Sequence, residues 1–556
     1  MIRIYYVYIF LTALISCSIL VPYAARLAIK VGGVDQPDER KVHSHGTPRL
    51  GGVAVFCSVL FSVIFFCGIN QQTKGFLVGA IIIFLTGLAD DLVRLTPRQK
   101  LIGELLAVGQ AVLLGGIRVN DLGTPFGFGP IELGFFAIPF TIFAIVGLVN
   151  AINLLDGMDG LAGGVCAIAC ISFAVISFTS SNHVLSPLVI ALLGSIIGFL
   201  LYNHYPAHIF LGDSGSLLLG YCMGIFSVFL ATGSKTAVSP YLPLIILGVP
   251  ILDTLVVMIN RRRYGRKLFQ PDKTHLHHRL LGLGISHKLT VLIVVGISYL
   301  FSVIAIFGRE LGDGTLITLL LVTGLTVYGL LYGMTRKGWF GRIYLYSDQA
   351  LRTSYHFRYL VRLTGWLLLV IKYLLGAVFL MPLLLPGEVI LKCATLLLMA
   401  AAASAAVYLM RREWRERLLV GNIYLFGGVA IFALENFGRQ INLFGVALHY
   451  VSHGIFLALL ICAGSKIFIR KRASLLIVSP FDYLLMLIVL SAPLIPLSFT
   501  TQFHLLTVTA KTVIFLAGTK LVLKKQLHFA AAGVQAKEMA AVSLDGSSIE
   551  QTKTAG

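Results

Sequence analysis

Long apolar runs separated by short polar loops follow one another along almost the whole chain. Runs of about 20 apolar residues are long enough to cross a bilayer as helices. The first run, at residues 5–29, is too long for a cleaved signal peptide and lacks a small-residue cleavage pattern. In the first half of the chain the pattern predicts spans near residues 4–28, 51–69, 75–89, 101–117, 132–149, 161–180, 186–202, 215–232, 240–260, 289–308 and 315–333.

A basic segment with several aromatic residues, at 334–363, separates these runs from a second group. The second group predicts spans near 364–385, 389–410, 418–437, 441–463, 474–498 and 505–523. The sequence therefore predicts an all-α polytopic membrane helical bundle. Its core would have about eleven helices over residues 1–333, followed by about six further transmembrane helices over 364–525. The polar tail at 526–556 has a composition typical of disordered segments.

The composition excludes an ordinary soluble protein, because the chain is 57% hydrophobic and 12% charged, with a mean hydropathy of +0.89. A net charge of +20 could indicate a nucleic-acid partner, but the basic residues cluster in loops that lie two spans apart. That asymmetry follows the positive-inside rule and makes those loops cytoplasmic. The charge thus indicates topology, with anionic headgroups or substrates as secondary partners and no nucleic acid. The eight cysteines lie mostly in apolar spans, which is typical of buried fillers.

The most unusual polar segment, at 150–164, lies between two predicted spans. It contains Asn150, Asn153, Asp156 and Asp159, which would share one face if the helix continued, because they are three residues apart. An acid at the bilayer centre costs roughly 2.5–3.5 kcal/mol, so such groups indicate function. The carboxamides could bind a nucleobase or an N-acetyl group, and the carboxylates a metal ion or a proton. Simple helix capping is the alternative.

Two more acidic segments lie at the ends of predicted spans. The adjacent carboxylates of Asp90 and Asp91 repel each other, which favours recruitment of a cation such as Mg²⁺. Alternatively, the pair is solvated and balanced by nearby basic residues. Asp213, in a Gly-Asp-Ser-Gly sequence at a predicted helix start, could ligate Mg²⁺ or cap the helix. Backbone N–H groups at that helix start would attract an anion.

Histidines and basic residues occupy two further loops on the same predicted side. At 271–279, three histidines in four residues are too closely spaced for structural zinc, and no cysteine is nearby. Because many Arg and Lys residues lie beside it in the same loop, the segment favours a role in binding a pyrophosphate or the leaving group. In the first loop His43 could meet a phosphate, and Gly51-Gly52 permits close backbone approach. Either loop could instead anchor to lipid headgroups, and Phe210 could stack on a base or pack at the interface.

All these segments lie in the first half of the chain and on one predicted side of the membrane. Their order and spacing resemble those of the polyprenyl-phosphate N-acetylhexosamine-1-phosphate transferases, a membrane family of glycan-initiating enzymes. The resemblance covers about residues 1–333 and is carried by His43…Thr47-Pro48…Gly51-Gly52, Asp90-Asp91, Asn150…Asn153…Asp156-Gly-Met-Asp159-Gly, Pro206-Ala…Phe210-Leu-Gly-Asp213-Ser-Gly and Asp272-Lys-Thr-His275-Leu-His277-His278-Arg279.

The resemblance implies transfer of N-acetylhexosamine-1-phosphate from UDP-N-acetylglucosamine, or a related UDP-HexNAc, to undecaprenyl phosphate. The products would be undecaprenyl-diphospho-sugar and UMP, and the cofactor would be Mg²⁺, with Mn²⁺ as an alternative. A phospho-N-acetylmuramoyl-pentapeptide donor is disfavoured, because the histidine segment differs from that of the peptidoglycan branch of the family.

The resemblance also implies roles for single residues. Asp213 and Asp156 would ligate the metal, and Asp90 or Asp91 would deprotonate or position the lipid phosphate. Asp156 and Asp159 would also take part at the reacting centre. The substrate-binding residues would be His43, Lys100, Asn150, Asn153, Asn203, Phe210, His275, His277, His278 and Arg279.

The implied enzyme is a multi-pass protein of the cytoplasmic (inner) membrane whose active site faces the cytoplasm. It would initiate a cell-surface polysaccharide such as lipopolysaccharide or another cell-wall polymer. A secondary transporter is the alternative, although transporters usually show polar breaks in both halves of the chain. No chemistry is assigned to the module at 364–525, so docking of a downstream glycosyltransferase and formation of a homodimer stay open.

Overall fold

The computed structural model describes residues 2–35, 46–232, 238–263, 265, 275–337, 365–387, 412–438, 441–443, 446–470 and parts of 504–519. Within these ranges the chain is almost entirely helical, and its strands are two antiparallel pairs of two residues each. The first pair joins β1 (Val34–Asp35) to β2 (Thr47–Pro48), and the second joins β3 (Asn442–Leu443) to β4 (Val446–Ala447). The predicted all-α fold is confirmed.

The described helices divide between two compact units. The first unit contains α1 (Ile2–Val31), α2 (Gly51–Phe66), α3 (Gln71–Val93), α4 (Pro97–Gly115), α5 (Ala137–Leu155), α6 (Leu161–Thr179), α7 (Leu185–Asn203), α8 (Gly212–Thr232), α9 (Leu242–Ile246), α10 (Gly248–Arg263), α11 (Leu276–Gly282), α12 (His287–Phe307) and α13 (Asp313–Lys337). The second unit contains α14 (Gly365–Leu380), α15 (Arg412–Phe437) from residue 424 onwards, and α16 (Leu448–Arg470).

Eight helices in the described part of the chain are long and apolar enough to cross a membrane. They are Tyr5–Val31, Gln71–Val93, Gly134–Leu155, Leu161–Thr179, Leu185–Asn203, Gly212–Thr232, His287–Glu310 and Asp313–Leu330. The protein is therefore a polytopic membrane protein, as predicted. The spans predicted at 389–410 and 474–498 lie outside the described residues, as do most of the segment at 334–363 and the tail at 526–556.

The span predicted at 240–260 is two helices rather than one, because α9 ends at Ile246 and α10 begins at Gly248. Pro250 lacks an N–H group and could not donate to the carbonyl four residues earlier in an uninterrupted helix. In the first turn of a new helix that N–H group has no intrahelical partner in any case. Proline chemistry thus explains why the apolar run is divided.

Helices α6, α7 and α8 form the centre of the first unit, and most of their residues are buried. A helix that is buried on all sides is typically apolar all round, and these three helices follow that pattern. Helices α1 and α2 pack against α7, while α3 and α5 pack against α8. Since the polar segments lie at the ends of α3 and α5 and at the start of α8, the packing brings them to one end of the bundle.

Backbone hydrogen bonds fasten the start of α2 to the start of α8. The Gly51 and Gly52 N–H groups donate to the carbonyls of Phe210 and Leu211, at 3.0 and 2.8 Å. The Phe210 N–H group donates in turn to the carbonyl of Pro48, at 2.8 Å. A Cβ atom on Gly52 would lie 2.2 Å from the backbone nitrogen of Gly215, so only glycine allows this approach.

A buried charged cluster lies within the second unit. Glu435, only 1% exposed, forms an ion pair with Lys511. The Ser452 hydroxyl donates to the same carboxylate at 3.3 Å, and the Lys511 amine lies 5.3 Å from the centre of the Phe456 ring. Charges among apolar helices need such pairing, because an isolated buried charge is very costly.

Candidate active site

Asp213, at the start of α8, is the centre of the polar cluster. Its Oδ1 accepts hydrogen bonds from the Lys100 amine at 2.5 Å and from the Asn153 amide at 2.8 Å. Its Oδ2 lies 3.4 Å from the Arg49 guanidinium. The Asp213 side chain is 19% exposed, so a ligand can reach it. The structure therefore brings Asp213, Lys100 and Asn153 together, three residues singled out from the sequence.

Lys100 joins two acidic segments that are distant in sequence. Its amine lies 3.0 Å from Asp90 Oδ2 as well as 2.5 Å from Asp213 Oδ1. The other Asp90 oxygen accepts the N–H group of Leu95, at 2.8 Å. A cation between two carboxylates offsets their mutual repulsion. Lys100 thereby holds the end of α3 and the start of α8 at a fixed spacing.

Asp91 faces the bundle interior and caps α8 from the neighbouring helix. Its two oxygens accept the N–H groups of Asp213 and Ser214, at 2.8 and 2.9 Å. Its side chain is fully buried and lies 3.6 Å from the Arg49 guanidinium. A carboxylate at this position satisfies N–H groups that a helix start leaves unpaired. Of the two adjacent acids, Asp90 is therefore the one that faces the accessible cluster.

The helix does not continue through the four polar residues of 150–159, so they do not share one helix face. Helix α5 ends at Leu155, and Gly160 adopts a positive φ of 76° before α6 begins. Glycine favours that conformation, which breaks the helix. Asn153 thus stays on α5, whereas Asp156 and Asp159 belong to the connecting loop.

Two of the predicted site residues, Asp159 and Asn203, connect loops through hydrogen bonds to backbone groups. Asp159 accepts the N–H group of Ala207 at 3.0 Å. Asn203 accepts the N–H group of Gly160 and donates to the carbonyl of Ile209, both at 2.9 Å. Both side chains are buried. They shape the loops that carry Asp156 and the half-buried Phe210, rather than facing the accessible cluster.

Asp156 follows directly after α5 and is only partly exposed. Burial is the main reason that its pKa rises to about 7, and the nearby carboxylates of Asp213, Asp91 and Asp159 raise it further. No described residue donates a hydrogen bond to its side chain. A cation bound beside Asp156 would favour the charged form of its carboxylate.

Asn150 faces Glu104, a buried acid that was not predicted as a site residue from the sequence. Its amide donates to the Glu104 carboxylate at 2.6 Å and to the carbonyl of Val146 at 3.0 Å. Glu104 is 1% exposed, one turn beyond Lys100 on α4. The signal in the sequence was a single acid within an apolar run. Asn150 is consequently engaged with Glu104 rather than with the Asp213 cluster.

The histidine segment lies against the loop that carries Asp156. His277 is 1% exposed, and a Cβ atom on Gly157 would lie 2.6 Å from its Nε2. Burial, with the neighbouring His278, lowers the pKa of His277 to about 4, so this ring is neutral at pH 7. His278 and Arg279 occupy the same helix, α11, and are half-buried. His43, also predicted to contact substrate, lies outside the described residues.

The low pKa of His277 predicts that the folded protein loses stability in acid. The unfolded chain binds a proton near pH 6.5 and the folded chain only near pH 4, so acidification favours unfolding within that window. From about pH 7 to about pH 5 the expected loss is about 2 kcal/mol. His277→Phe should reduce the difference in melting temperature between these two conditions. His183→Gln, at an exposed position, should leave the difference unchanged, and an equal response of both variants would contradict the prediction.

Comparison with known proteins shows the family to which the chain belongs. The model for glycosyl transferase family 4 matches residues 73–231. A Bacillus subtilis (strain 168) protein, described as a probable undecaprenyl-phosphate N-acetylglucosaminyl 1-phosphate transferase, is 41% identical over 310 residues, which are 55% of this chain and 85% of the relative. The chain belongs to glycosyl transferase family 4.

Two further relatives at similar identity are named for the transfer of different sugar-phosphate groups. The decaprenyl-phosphate N-acetylglucosaminephosphotransferase of Mycolicibacterium smegmatis is 36% identical over 54% of this chain and 80% of its own. The phospho-N-acetylmuramoyl-pentapeptide-transferase of Thermoanaerobacter sp. (strain X514) is 33% identical over 49% of this chain and 88% of its own. The family 4 protein is thus a membrane phosphotransferase, as the resemblance in its motifs implied.

Within this family 4 protein, oxygen ligands for a hard cation could come from two segments. Among the described residues, no group of three His, Cys, Asp or Glu side chains is arranged to hold a metal ion. Mg²⁺, however, is commonly held by one or two carboxylates together with substrate phosphates. Asp213 and Asp156 offer such carboxylates, and the pKa of Asp156 is raised mainly by burial and further by the neighbouring carboxylates. The donor chemistry fits Mg²⁺.

Proposed function

We propose that the protein transfers N-acetylhexosamine-1-phosphate from UDP-N-acetylglucosamine, or a related UDP-HexNAc, to undecaprenyl phosphate. The products would be undecaprenyl-diphospho-sugar and UMP, and the reaction would initiate a cell-surface polysaccharide. The observation that carries the proposal is the meeting of Lys100 with Asp90 and Asp213 at one end of a membrane bundle. The activities named for the relatives in Bacillus subtilis and Mycolicibacterium smegmatis support it.

The residues of the cluster suit phosphoryl transfer, which asks the protein mainly for positioning and charge stabilisation. The lipid phosphate is already largely ionised near pH 7 and can attack the β-phosphorus of the donor without a strong base. Lys100 and Arg49 provide positive charge at the acidic cluster. Asp90 would orient the attacking phosphate through Lys100, while Asn153 fixes Asp213.

Mg²⁺, with Mn²⁺ as an alternative, would be held by Asp213 and Asp156. When bound, the ion supplies charge neutralisation for the donor diphosphate. The partly exposed Asp213 is connected to Lys100, Arg49 and Asn153, so these side chains set the position of its carboxylate. Burial and the neighbouring carboxylates raise the pKa of Asp156 to about 7, so acidification below neutral pH would protonate this carboxylate.

The basic loops at this end of the bundle support a location on the cytoplasmic face of the inner membrane, by the positive-inside rule. The polar segments and the three arginines at the end of α10 would then face the same compartment as a soluble UDP-sugar. The lipid acceptor would approach from the bilayer. The two reactants would then reach one site from different phases.

Release of UMP tests the proposal directly. The full-length protein, purified in detergent, is incubated with undecaprenyl phosphate and Mg²⁺, and with UDP-N-acetylglucosamine, UDP-N-acetylgalactosamine or UDP-N-acetylmuramoyl-pentapeptide in parallel. We expect UMP and a lipid-linked sugar from one UDP-HexNAc, and loss of both products when the metal is chelated. Turnover of the pentapeptide donor alone would support the reaction of the Thermoanaerobacter relative instead. Absence of UMP with every donor would refute the proposed activity.

A further inference from the structure

A buried carboxylate outside the Asp213 cluster contacts the start of the histidine segment. Asp253 lies on α10 and is 3% exposed. Its Oδ2 lies 2.8 Å from His275 Nδ1, and its Oδ1 accepts the N–H group of Leu276 at 2.8 Å. The hydroxyl of Tyr328, on α13, donates to the same Oδ1 at 3.3 Å. Three elements therefore meet at one carboxylate.

Helix α11 depends on this carboxylate because it has no cap of its own. The helix has only seven residues, Leu276–Gly282, and the residue before it, His275, forms no side-chain capping hydrogen bond. The N–H groups at a helix start need acceptors, and a negative charge there is favourable. Asp253 provides both from a neighbouring helix, so α11 is fixed to α10 at its first residue.

Asp253 also determines which nitrogen of His275 a ligand can meet. Because Nδ1 faces the carboxylate, Nε2 is the nitrogen that remains for another partner. The His275 and His277 rings are nearly parallel, with centres 5.9 Å apart. His277 in turn contacts Gly157, next to Asp156. A shift at the start of α11 would thus reach the acidic loop through two packed rings.

We propose that Asp253, supported by Tyr328, is a positioning residue that sets the histidine segment against the acidic loop and thereby determines affinity for the diphosphate of the nucleotide-sugar donor. The inference rests on the proposed function, in which the histidine segment binds that donor. Asp253 acts through His275 and α11 and does not itself contact substrate. Its role differs from that of Asp91, which holds α8 at the acidic cluster.

Asp253→Asn tests the proposal, because asparagine keeps the size of the side chain but loses its charge and one of its two acceptor oxygens. We expect the KM for the UDP-sugar to rise about tenfold, as for the loss of one charge-assisted hydrogen bond. The KM for undecaprenyl phosphate should stay within about twofold and kcat within about threefold of wild type. Tyr328→Phe removes only the longest contact and should raise the donor KM about twofold to threefold.

Histidine modification gives a readout that does not depend on turnover. His275 and His277 are 4% and 1% exposed, so diethylpyrocarbonate should modify them slowly in the wild-type protein. Peptide mass spectrometry should show faster modification of both in Asp253→Asn. Glu310→Gln, at an exposed position far along the chain, should change neither the kinetics nor the labelling.

The possible results separate the two ideas. Unchanged labelling in Asp253→Asn would overturn the positioning role, and so would faster labelling with an unchanged donor KM. A fall in kcat with both KM values unchanged would also overturn it. If the wild-type protein releases no UMP with any donor, the proposed function fails. The positioning role is then decided by the labelling together with calorimetric titration of UDP-N-acetylglucosamine, in which Asp253→Asn must bind about tenfold more weakly.

Discussion

Asp213→Asn is expected to lower the rate of UMP release by about a thousandfold or more, because it removes a charge that several partners share. The Asp213 carboxylate faces Lys100, Arg49 and Asn153. An amide of the same size would present an N–H₂ group to at least one cation and would be a poor ligand for Mg²⁺. The measurement is the initial rate of UMP release at saturating concentrations of both substrates.

The fold should survive this substitution, because Asp91 and the Asp213 N–H group, which join α3 to α8, are unchanged. Asp213→Asn should therefore keep the elution profile and melting temperature of the wild type in detergent. Asp121→Asn is a suitable control, since Asp121 is exposed and accepts a hydrogen bond only within its own turn. Retention of more than about a tenth of the wild-type rate in Asp213→Asn would contradict the central role of this carboxylate.

Gly52→Ala should be strongly destabilising, at a cost of about 3 kcal/mol. The new Cβ atom would lie 2.2 Å from the nitrogen of Gly215 and 2.6 Å from the carbonyl carbon of Ser214. Both are backbone atoms of the buried helix α8, which cannot move aside as a flexible side chain could. The start of α2 would have to separate from α8, and the hydrogen bonds to Phe210 and Leu211 would break.

Gly109→Ala is the matched control for this prediction. Gly109 lies within α4, and an added Cβ atom would meet nothing within 4 Å. Alanine is favoured over glycine in a helix by about 1 kcal/mol, so this variant should be at least as stable as wild type. The two variants are compared by heating each in detergent and measuring the fraction of protein that stays monodisperse. Equal melting temperatures would show that the approach of α2 to α8 is not tight.

The fold was accessible from the sequence because its strongest signal is the length of apolar runs. That signal identified the helices that now appear as Gln71–Val93, Leu161–Thr179 and Leu185–Asn203. It failed at 240–260, where hydropathy is continuous and only the position of Pro250 marks the break. Helix ends near 155 were equally hidden, because Asn153 and Asp156 can lie on a helix or leave it.

The chemistry of the site could be predicted from residue types, but the assignment of partners could not. Asp90, Asp91 and Asp159 look alike in the sequence, yet Asp91 and Asp159 bind backbone N–H groups of distant segments. Such pairings depend on helix packing, and no local pattern encodes them. The same holds for Asn203, whose two hydrogen bonds connect two loops.

Three important side chains were missed because each looked ordinary in its own segment. Arg49 was one basic residue among several in the first loop, and Glu104 and Asp253 were single acids in apolar runs. Their partners lie far away along the chain, at Asp213, Asn150 and His275 respectively. For Glu104 and Asp253, an acid within an apolar run was the only available sign, and it indicates that a partner exists without identifying it.

The hydrogen bonds between residues 48–52 and 210–211 have a consequence for biogenesis. The ribosome delivers the second helix to the membrane long before it has synthesised the eighth, so this seam cannot close during the insertion of the first hairpins. Until then Gly51 and Gly52 have no acceptors from the later segment. The catalytic centre must therefore mature late, by lateral assembly of helices already inserted, and a nascent chain arrested before residue 210 would be membrane-bound but inactive.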